Sequence, residues 1–361
     1  MSKNLLEEIS QPLLSWYDKG HRNLPWRENK SAYRIWVSEI MLQQTRVEAV
    51  KPYFLRFMEA FPDINALANA NDERLLKYWE GLGYYSRVRN MKKAAAIAVE
   101  EYAGVLPDTY ELLIKLPGIG SYTAGAIASI AYNEPIPAVD GNVLRIISRL
   151  RMDDEDIMLP AVKKKVEKEL LPVMPKDRPG DFNQALMELG ATVCIPNGQA
   201  KCGECPWNSL CKAKKHNCIA DYPKKTAKKK RTIEQKTVLI LKDGENVAIH
   251  KRASKGLLAG MYELPMLEGS LKENEVLERL NNMGIHALHI KMLESAVHIF
   301  SHKEWHMTGY AVRMDELMSR QDNDFLFIHP KETEEKYPIP AAFATYVKYL
   351  DIKLGNEKFL S

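Results

Sequence analysis

Two carboxylates in unlike surroundings, Glu39 and Asp140, give this 361-residue chain the means for acid-assisted bond breaking. Glu39 lies in Val37-Ser-Glu-Ile-Met-Leu-Gln-Gln-Thr45, beside Ile35, Trp36, Leu42 and Gln43 on a helical pattern. Desolvation against such apolar surface raises a carboxyl pKa and lets the group keep a proton near neutral pH. A glutamate that reaches solvent or pairs with Arg46 is the other reading. Asp140 precedes Gly141-Asn142 and an apolar helix over 143–150, so it is expected as an N-cap, worth about 1 kcal/mol. The helix N-terminus is expected to keep it ionised. One protonated acid and one carboxylate fit hydrolysis of a glycosidic bond. The first protonates the leaving group, and the second stabilises or traps an oxocarbenium-like sugar.

Cys194, Cys202, Cys205 and Cys211 form a C-x7-C-x2-C-x5-C run, with Cys218 shortly after. Such clustering in a chain with no apparent secretory leader argues for metal over disulfides. Only one C-x-x-C is present, unlike the paired knuckles of common zinc folds. Four thiolates can hold a [4Fe–4S] cluster, and zinc stays the alternative.

Leu116-Pro-Gly-Ile-Gly120 must turn, because Pro117 and two glycines cannot continue a helix. Apolar and small residues from Ser121 to Tyr132 then resume a helical pattern. Two helices joined this way aim backbone amides at a phosphate, and Gly118 and Gly120 allow a close approach. Such a grip carries no base information. Taken alone, the segment could equally be an ordinary helical hairpin.

The elements that must position these groups follow from periodicity. Residues 1 to about 218 read as almost wholly helical, for example Leu5, Leu6, Ile9, Leu13 and Leu14. Asp108, three before Glu111, is expected to cap the first hairpin helix, and Gly81 and Gly104 to end helices. Residues 222–236 (YPKKTAKKKRTIEQK) have the composition of a solvated basic linker. Strands are then expected at 237–241 and 247–250, and at 296–301 and 304–312, with helices near 272–283 and 340–350. The domains are thus 1–221, a linker over 222–236, and 237–361. Net charge is only +4, so nucleic-acid affinity would need local patches. No apolar run has the length of a membrane span and Met1–Ser10 lacks a signal core, so a cytoplasmic protein without a membrane partner is expected.

LPGIG followed by VDGN at 139–142, with the cysteine run, resembles the helix-hairpin-helix glycosylase superfamily related to endonuclease III. SEIMLQQT, LPWR at 24–27 and GLGYYSR at 81–87 are similar to its MutY branch of adenine glycosylases. The resemblance implies a mainly α helix-hairpin-helix fold of two helical lobes with a [4Fe–4S] loop on Cys194, Cys202, Cys205 and Cys211. The first interval is seven residues where the family usually has six, and an insertion in a Pro/Gly loop costs little. The implied activity is removal of adenine mispaired with 8-oxoguanine, and with guanine, from double-stranded DNA by a monomer. Glu39 would protonate N7, Asp140 would face C1′, and Tyr122 and Asn142 would position them. Lyase branches carry a lysine where this chain has Tyr122, so base removal without strand cleavage is implied.

By the same resemblance Trp26, Arg27 and Gln184 line the adenine pocket, Gln44 and Thr45 fill the gap by the opposite base, and Leu82 and Tyr84 wedge into the stack. Core packing is the alternative for Leu82 and Tyr84. Lys201, Lys212, Lys214 and Lys215 would meet phosphates. The second half resembles an α+β Nudix (MutT-like) domain through Arg252–Leu267. Its dense glutamate box is missing, which disfavours diphosphate hydrolysis, and Phe300, Ser301 and His302 match the loop that meets 8-oxoguanine.

Overall fold

The structure, a computed structural model, describes residues 5–226, 230–314 and 324–355. Tertiary contacts divide the chain into one unit of residues 1–69 and 90–228 and a second of 70–89 and 229–361.

The first unit is helical. It holds α1 (Ser10–Lys19), α2 (Ala32–Leu42), α3 (Val47–Ala60) and α4 (Ile64–Ala68). After α5 (Asp72–Tyr78), which groups with the second unit, come α6 (Ser86–Glu101), of which 86–89 group with the second unit too, α7 (Tyr110–Leu113), α8 (Ser121–Ala131) and α9 (Gly141–Arg151). The helices α10 (Pro160–Leu170), α11 (Pro179–Thr192) and α12 (Lys212–Lys215) complete it. One core joins α1, α9 and α11 through Leu13, Val143, Ile147, Phe182 and Leu186, and reaches the cysteine loop through Trp207. Burying each such side chain contributes roughly 1.5–3 kcal/mol.

Local chemistry sets the ends. Gly104 at φ +78° donates its N–H to the Ala98 carbonyl at 2.9 Å, closing α6 as expected. The cap expected from Asp108 is not formed. Thr109 is the N-cap residue of α7, and the Tyr110 amide is satisfied at 2.8 Å by Glu134, which follows α8 and outcompetes the local carboxylate. Helix α11 lies very close to α9, since a Cβ on Gly190 would come within 2.8 Å of the Asn142 Cβ.

The second unit is built on a seven-stranded sheet in which β1 (Thr232–Asp243) is central. The other strands are β2 (Asn246–Lys251), β3 (Tyr262–Glu263), β4 (Met266–Glu268), β5 (Ala287–Ile299), β6 (Lys303–Met314) and β7 (Phe325–Ile328). The path runs β3-β2-β1-β6-β5, with β4 on β1 and β7 on β2. Alternate residues of β1 feed two cores. Val238 and Ile240 pack with Phe343, Tyr346 and Val347 around α15 (Ala344–Val347), and Leu239 and Leu241 pack with Val276 and Leu280 of α13 (Glu273–Asn282). The short helix α14 (Pro330–Glu335) lies between β7 and α15 in the chain.

The expected hairpins are present as β1–β2 and β5–β6, and both are longer than the sequence pattern predicts. The last residues of the expected linker, from Thr232, are strand, because β1 pairs in parallel with β6 from Thr232↔Lys303 onward. Residues 222–226 carry bonds to the helical unit, such as Lys224 O to the Ile157 amide at 3.2 Å, and 227–229 lie outside the described residues.

Candidate active site

Helix α2 presents Glu39 from an almost fully buried stretch, Ile35 to Met41, started by a Ser31 N-cap that accepts from the Arg34 amide at 3.3 Å. Tyr122 is the second residue of α8, just after the Gly118–Gly120 turn. Its hydroxyl donates to Glu39 Oε2 at 2.6 Å and lies 3.5 Å from the Met187 sulfur. Burial pushes the Glu39 carboxyl up to about 7, and the Asp140 charge adds to this against the Tyr122 bond and the Arg27 charge. Burial also pushes the Tyr122 phenol well up, so it stays a donor. Of the two readings of Glu39, the apolar one holds, and its partner is Tyr122.

Asp140 caps α9 as expected. Its Oδ1 accepts from the amides of Asn142 (2.9 Å) and Val143 (2.8 Å), and its Oδ2 accepts from Asn142 Nδ2 at 2.7 Å. The cap does not set the direction of its pKa. Burial raises the Asp140 pKa, and the three bonds and Arg145 offset this only in part. Bonds from a helix terminus favour the charged carboxylate and desolvation disfavours it, and here desolvation is the larger.

Glu39, Tyr122, Asp140 and Asn142 line one cavity of about 640 Å³. Trp26, Arg27, Gln44, Thr45 and Gln184 line it too. Gln44 holds φ +61°, a conformation uncommon outside glycine, and such strain gathers at functional sites. Arg22, Lys30, Met187 and Glu188 also face the cavity and were not singled out in the sequence. A signal existed for Glu188, which follows Gln184 by one helical turn on the same face of α11.

Behind the cavity, Arg145 ties the site to the cysteine loop. It donates to Asn142 Oδ1 (2.9 Å), to the Gly190 carbonyl (2.7 Å) and, through Nε, to the Cys194 carbonyl (3.0 Å). Arg149 reaches the Cys194 sulfur at 3.3 Å. Cys194, Cys202, Cys205 and Cys211 line one pocket with Trp207. Burial pushes Cys205 up to about 12 and raises Cys202 and Cys211, and the neighbouring cysteines add to each rise. Among the described residues no group of three or more His, Cys, Asp or Glu side chains is arranged to hold a metal ion.

The hairpin turn holds Gly118 at φ +79°, where a Cβ would come within 2.7 Å of the Asn90 Cβ. Gly120 is the N-cap residue of α8 and offers the first-turn amides no side-chain acceptor. Lys163 of α10 stands beside this turn, donating to Ser121 Oγ at 2.8 Å.

Leu82, Tyr84, Phe300, Ser301 and His302 belong to the second unit. Leu82 is buried, as core packing requires, whereas Tyr84 is 44% exposed at φ +48°. Arg87 holds their loop by donating to the carbonyls of Leu82 (2.9 Å) and Gly83 (3.0 Å). Phe300 packs on His298 and Trp305 at the β5–β6 turn, and Ser301 and His302 are exposed.

Residues 37–176 match the HhH-GPD superfamily of base excision DNA repair proteins, and 237–349 match a NUDIX domain. The chain is 36% identical to the adenine DNA glycosylase of Buchnera aphidicola subsp. Schizaphis graminum, covering 85% of this chain and 88% of that protein. It is 30% identical to the adenine DNA glycosylase of Schizosaccharomyces pombe, covering 99% and 92%. With the human adenine DNA glycosylase it shares 35% identity over 80% of this chain, and it spans 64% of that protein's length. Among solved structures, a thermostable thymine-DNA glycosylase matches with TM-score 0.53 and 23% identity, over 59% of this chain and 97% of that one. A trapped endonuclease III–DNA covalent intermediate matches with TM-score 0.51 and 24% identity, over 60% and 99%, and both likenesses concern the fold. The helical unit is therefore of the HhH-GPD class, joined to a Nudix-like domain. The chain belongs to the adenine DNA glycosylase family.

Proposed function

We propose that this chain hydrolyses the N-glycosidic bond of adenine in double-stranded DNA, acting where adenine faces 8-oxoguanine or guanine, and leaves the strand intact. The observation that carries the reading is the 2.6 Å Tyr122–Glu39 bond in a cavity shared with Asp140. With a pKa near 7, Glu39 is protonated in a useful fraction of molecules at neutral pH, as a general acid needs to be. Oε2 accepts from Tyr122, so Oε1 carries the proton and offers it to N7 of a flipped adenine. The C1′–N9 bond breaks with its electron pair moving to the base. Asp140 faces the positive charge that grows at C1′, and a water adds there, its proton passing to the carboxylate of Glu39 that the first step left.

Tyr122 supplies no amine for an imine, which supports base removal without strand cleavage. Lys30 also lines the cavity, with its ammonium 3.1 Å from Asp181 at an exposed position. Flipping the adenine costs a few kcal/mol of stacking. In this reading Leu82 and Tyr84 would wedge into the stack, Gln44 and Thr45 would stand by the partner base, and Phe300, Ser301 and His302 would read 8-oxoguanine. Gly118, Gly120 and Lys163 would hold phosphate. We assign the protein to the cytoplasm as a monomer. No helix among the described residues is long and apolar enough to cross a membrane.

The four cysteines fit a [4Fe–4S] cluster by donor chemistry, being soft thiols around one pocket whose buried positions disfavour bare thiolates. Bound there, the cluster would supply a structural clamp on the loop that carries the Cys194 carbonyl.

The test is a single-turnover assay on a labelled duplex with adenine opposite 8-oxoguanine. Breaks in the adenine strand only after hot alkali are expected. Breaks without alkali would reveal a lyase, and no breaks either way would sink the proposal. Iron and sulfide content of the same preparation checks the cluster against zinc.

A further inference from the structure

The cavity wall carries an ion group that the chemistry above does not use. Glu188 of α11 has a side chain only 2% exposed, and both its oxygens are occupied. Oε1 accepts from Arg22 Nε at 2.6 Å and the Arg22 amide at 3.3 Å, and Oε2 accepts from Arg22 (3.0 Å) and from Arg27 (2.8 Å). The other terminal nitrogen of Arg27 bonds the Arg22 carbonyl at 2.9 Å, and its guanidinium lies 5.7 Å from the Tyr17 ring centre. A fork-shaped cation held at both terminal nitrogens has little freedom left. Arg27 is therefore fixed on the wall, 13% exposed, when an unheld arginine at a cavity rim would extend into water.

We propose that Glu188 is a positioning residue: it holds the Arg27 guanidinium against the cavity wall, so that its charge is delivered to the acid Glu39. The inference rests on the functional reading for what Glu39 does, on the Glu188–Arg27 bond for the hold on the guanidinium, and on the cavity that Arg27 and Glu39 share for the reach of its charge. Arg27 lines the same cavity as Glu39, and its charge opposes the burial that raises the acid, after the larger effect of the Tyr122 bond. The other groups facing Glu39 are Tyr122 from α8 and Asp140 at the start of α9, with Arg22, Lys30, Arg46 and Glu188 elsewhere on the same cavity wall. An acid pushed too high holds its proton too firmly to give it up, and a fixed cation keeps it in the useful range. A mobile arginine, averaged between wall and solvent, would do so only weakly.

Two variants test this in the full chain. Glu188→Asp keeps the charge and withdraws the carboxylate by one methylene, so it cannot span both arginines. Arg27→Met removes the cation and leaves the Glu188–Arg22 pair intact. The readout is the titration midpoint of Glu39, followed by carboxyl ¹³C NMR and assigned with Glu39→Gln. Both variants are expected to move the midpoint upward by about half a pH unit, roughly a threefold change in the protonated-to-ionised ratio. The double variant is expected to go no further than Arg27→Met alone. A purely structural Glu188 would alter stability and leave the midpoint in place, which overturns the proposal. So would a midpoint unmoved by Arg27→Met, a result available even if Glu188→Asp fails to fold. Excision by the unaltered protein is measured beside this: its absence defeats the functional reading, and the midpoints still decide the role of Glu188.

Discussion

Arg145 and Asn142 sit three residues apart on α9, and the arginine's N–H meets the asparagine Oδ1 at 2.9 Å while the asparagine's own amide nitrogen meets Asp140. Asn142 is thus fixed from both sides, and its orientation is transmitted to the carboxylate. The arginine is fixed in turn by the Gly190 and Cys194 carbonyls. Replacing it by lysine keeps the charge but not the fork. We expect Arg145→Lys to slow adenine release about tenfold, a loss of about 1.4 kcal/mol in the barrier. Single-turnover rates, with DNA affinity as the control, check it.

Glu39→Gln should slow base release by about 10²–10⁴, and its stability should vary with pH in a definite direction. The carboxyl titrates near 4.5 when unfolded and about 7 when folded. Its folded form is therefore favoured below pH 4.5, and that advantage is lost as pH rises to 7. The variant should be more stable than the parent at pH 8, by no more than about 3 kcal/mol, and should lose that advantage at pH 4.5. Urea unfolding at both pH values measures the difference, and an equal gap at both would contradict a raised pKa.

Asp140→Asn separates a cap from a catalyst. Asparagine still accepts from the two α9 amides, so unfolding free energy should change by about 1 kcal/mol or less. Base release should fall by about 10² or more while duplex binding persists. Equal rates for parent and variant would leave Asp140 as a cap only.

Gly118→Ala forces a Cβ into a φ of +79° and against Asn90. The turn should open, at a cost of about 1–3 kcal/mol. Affinity should drop for every duplex alike, with or without a lesion, because amide–phosphate contacts carry no base information. Titration of undamaged duplex at fixed salt is the check, and a loss confined to the mispair would argue against the phosphate role.

What was legible in the sequence was local. Asp140 was legible by the helix it starts and the cysteines by one short run, whereas the apolar neighbours of Glu39 left burial and a surface pairing with Arg46 both open until the fold buried it. Arg22 and Glu188 were not legible as a pair, because they meet across 166 residues. The rise in the Asp140 pKa was hidden for a similar reason, since helices distant in the sequence supply the burial that outweighs the cap. Thr232 to Lys236 had the composition of linker, and pairing with β6 from Lys303 onward, joined at Lys236 by β4, makes them strand. The short helix α7 shows the same limit, its amide being taken by Glu134 and not by the near Asp108.

Residues 70–89 are surrounded in the chain by one unit and bound to partners in the other. Glu73 meets Lys251 at 2.6 Å and the Tyr262 hydroxyl at 2.8 Å, Lys77 meets the Tyr337 carbonyl at 3.2 Å, and Arg89 meets the Ala259 carbonyl. Arg89 and Ala259 are 170 residues apart. At ribosomal speeds of about 5–20 residues per second, this stretch leaves the tunnel roughly 10–35 s before the surface it needs. Glu73, Lys77 and Arg89 are thus made long before the partners that hold them. During that interval the nascent helical half carries an unfinished segment, open to chaperones and proteases.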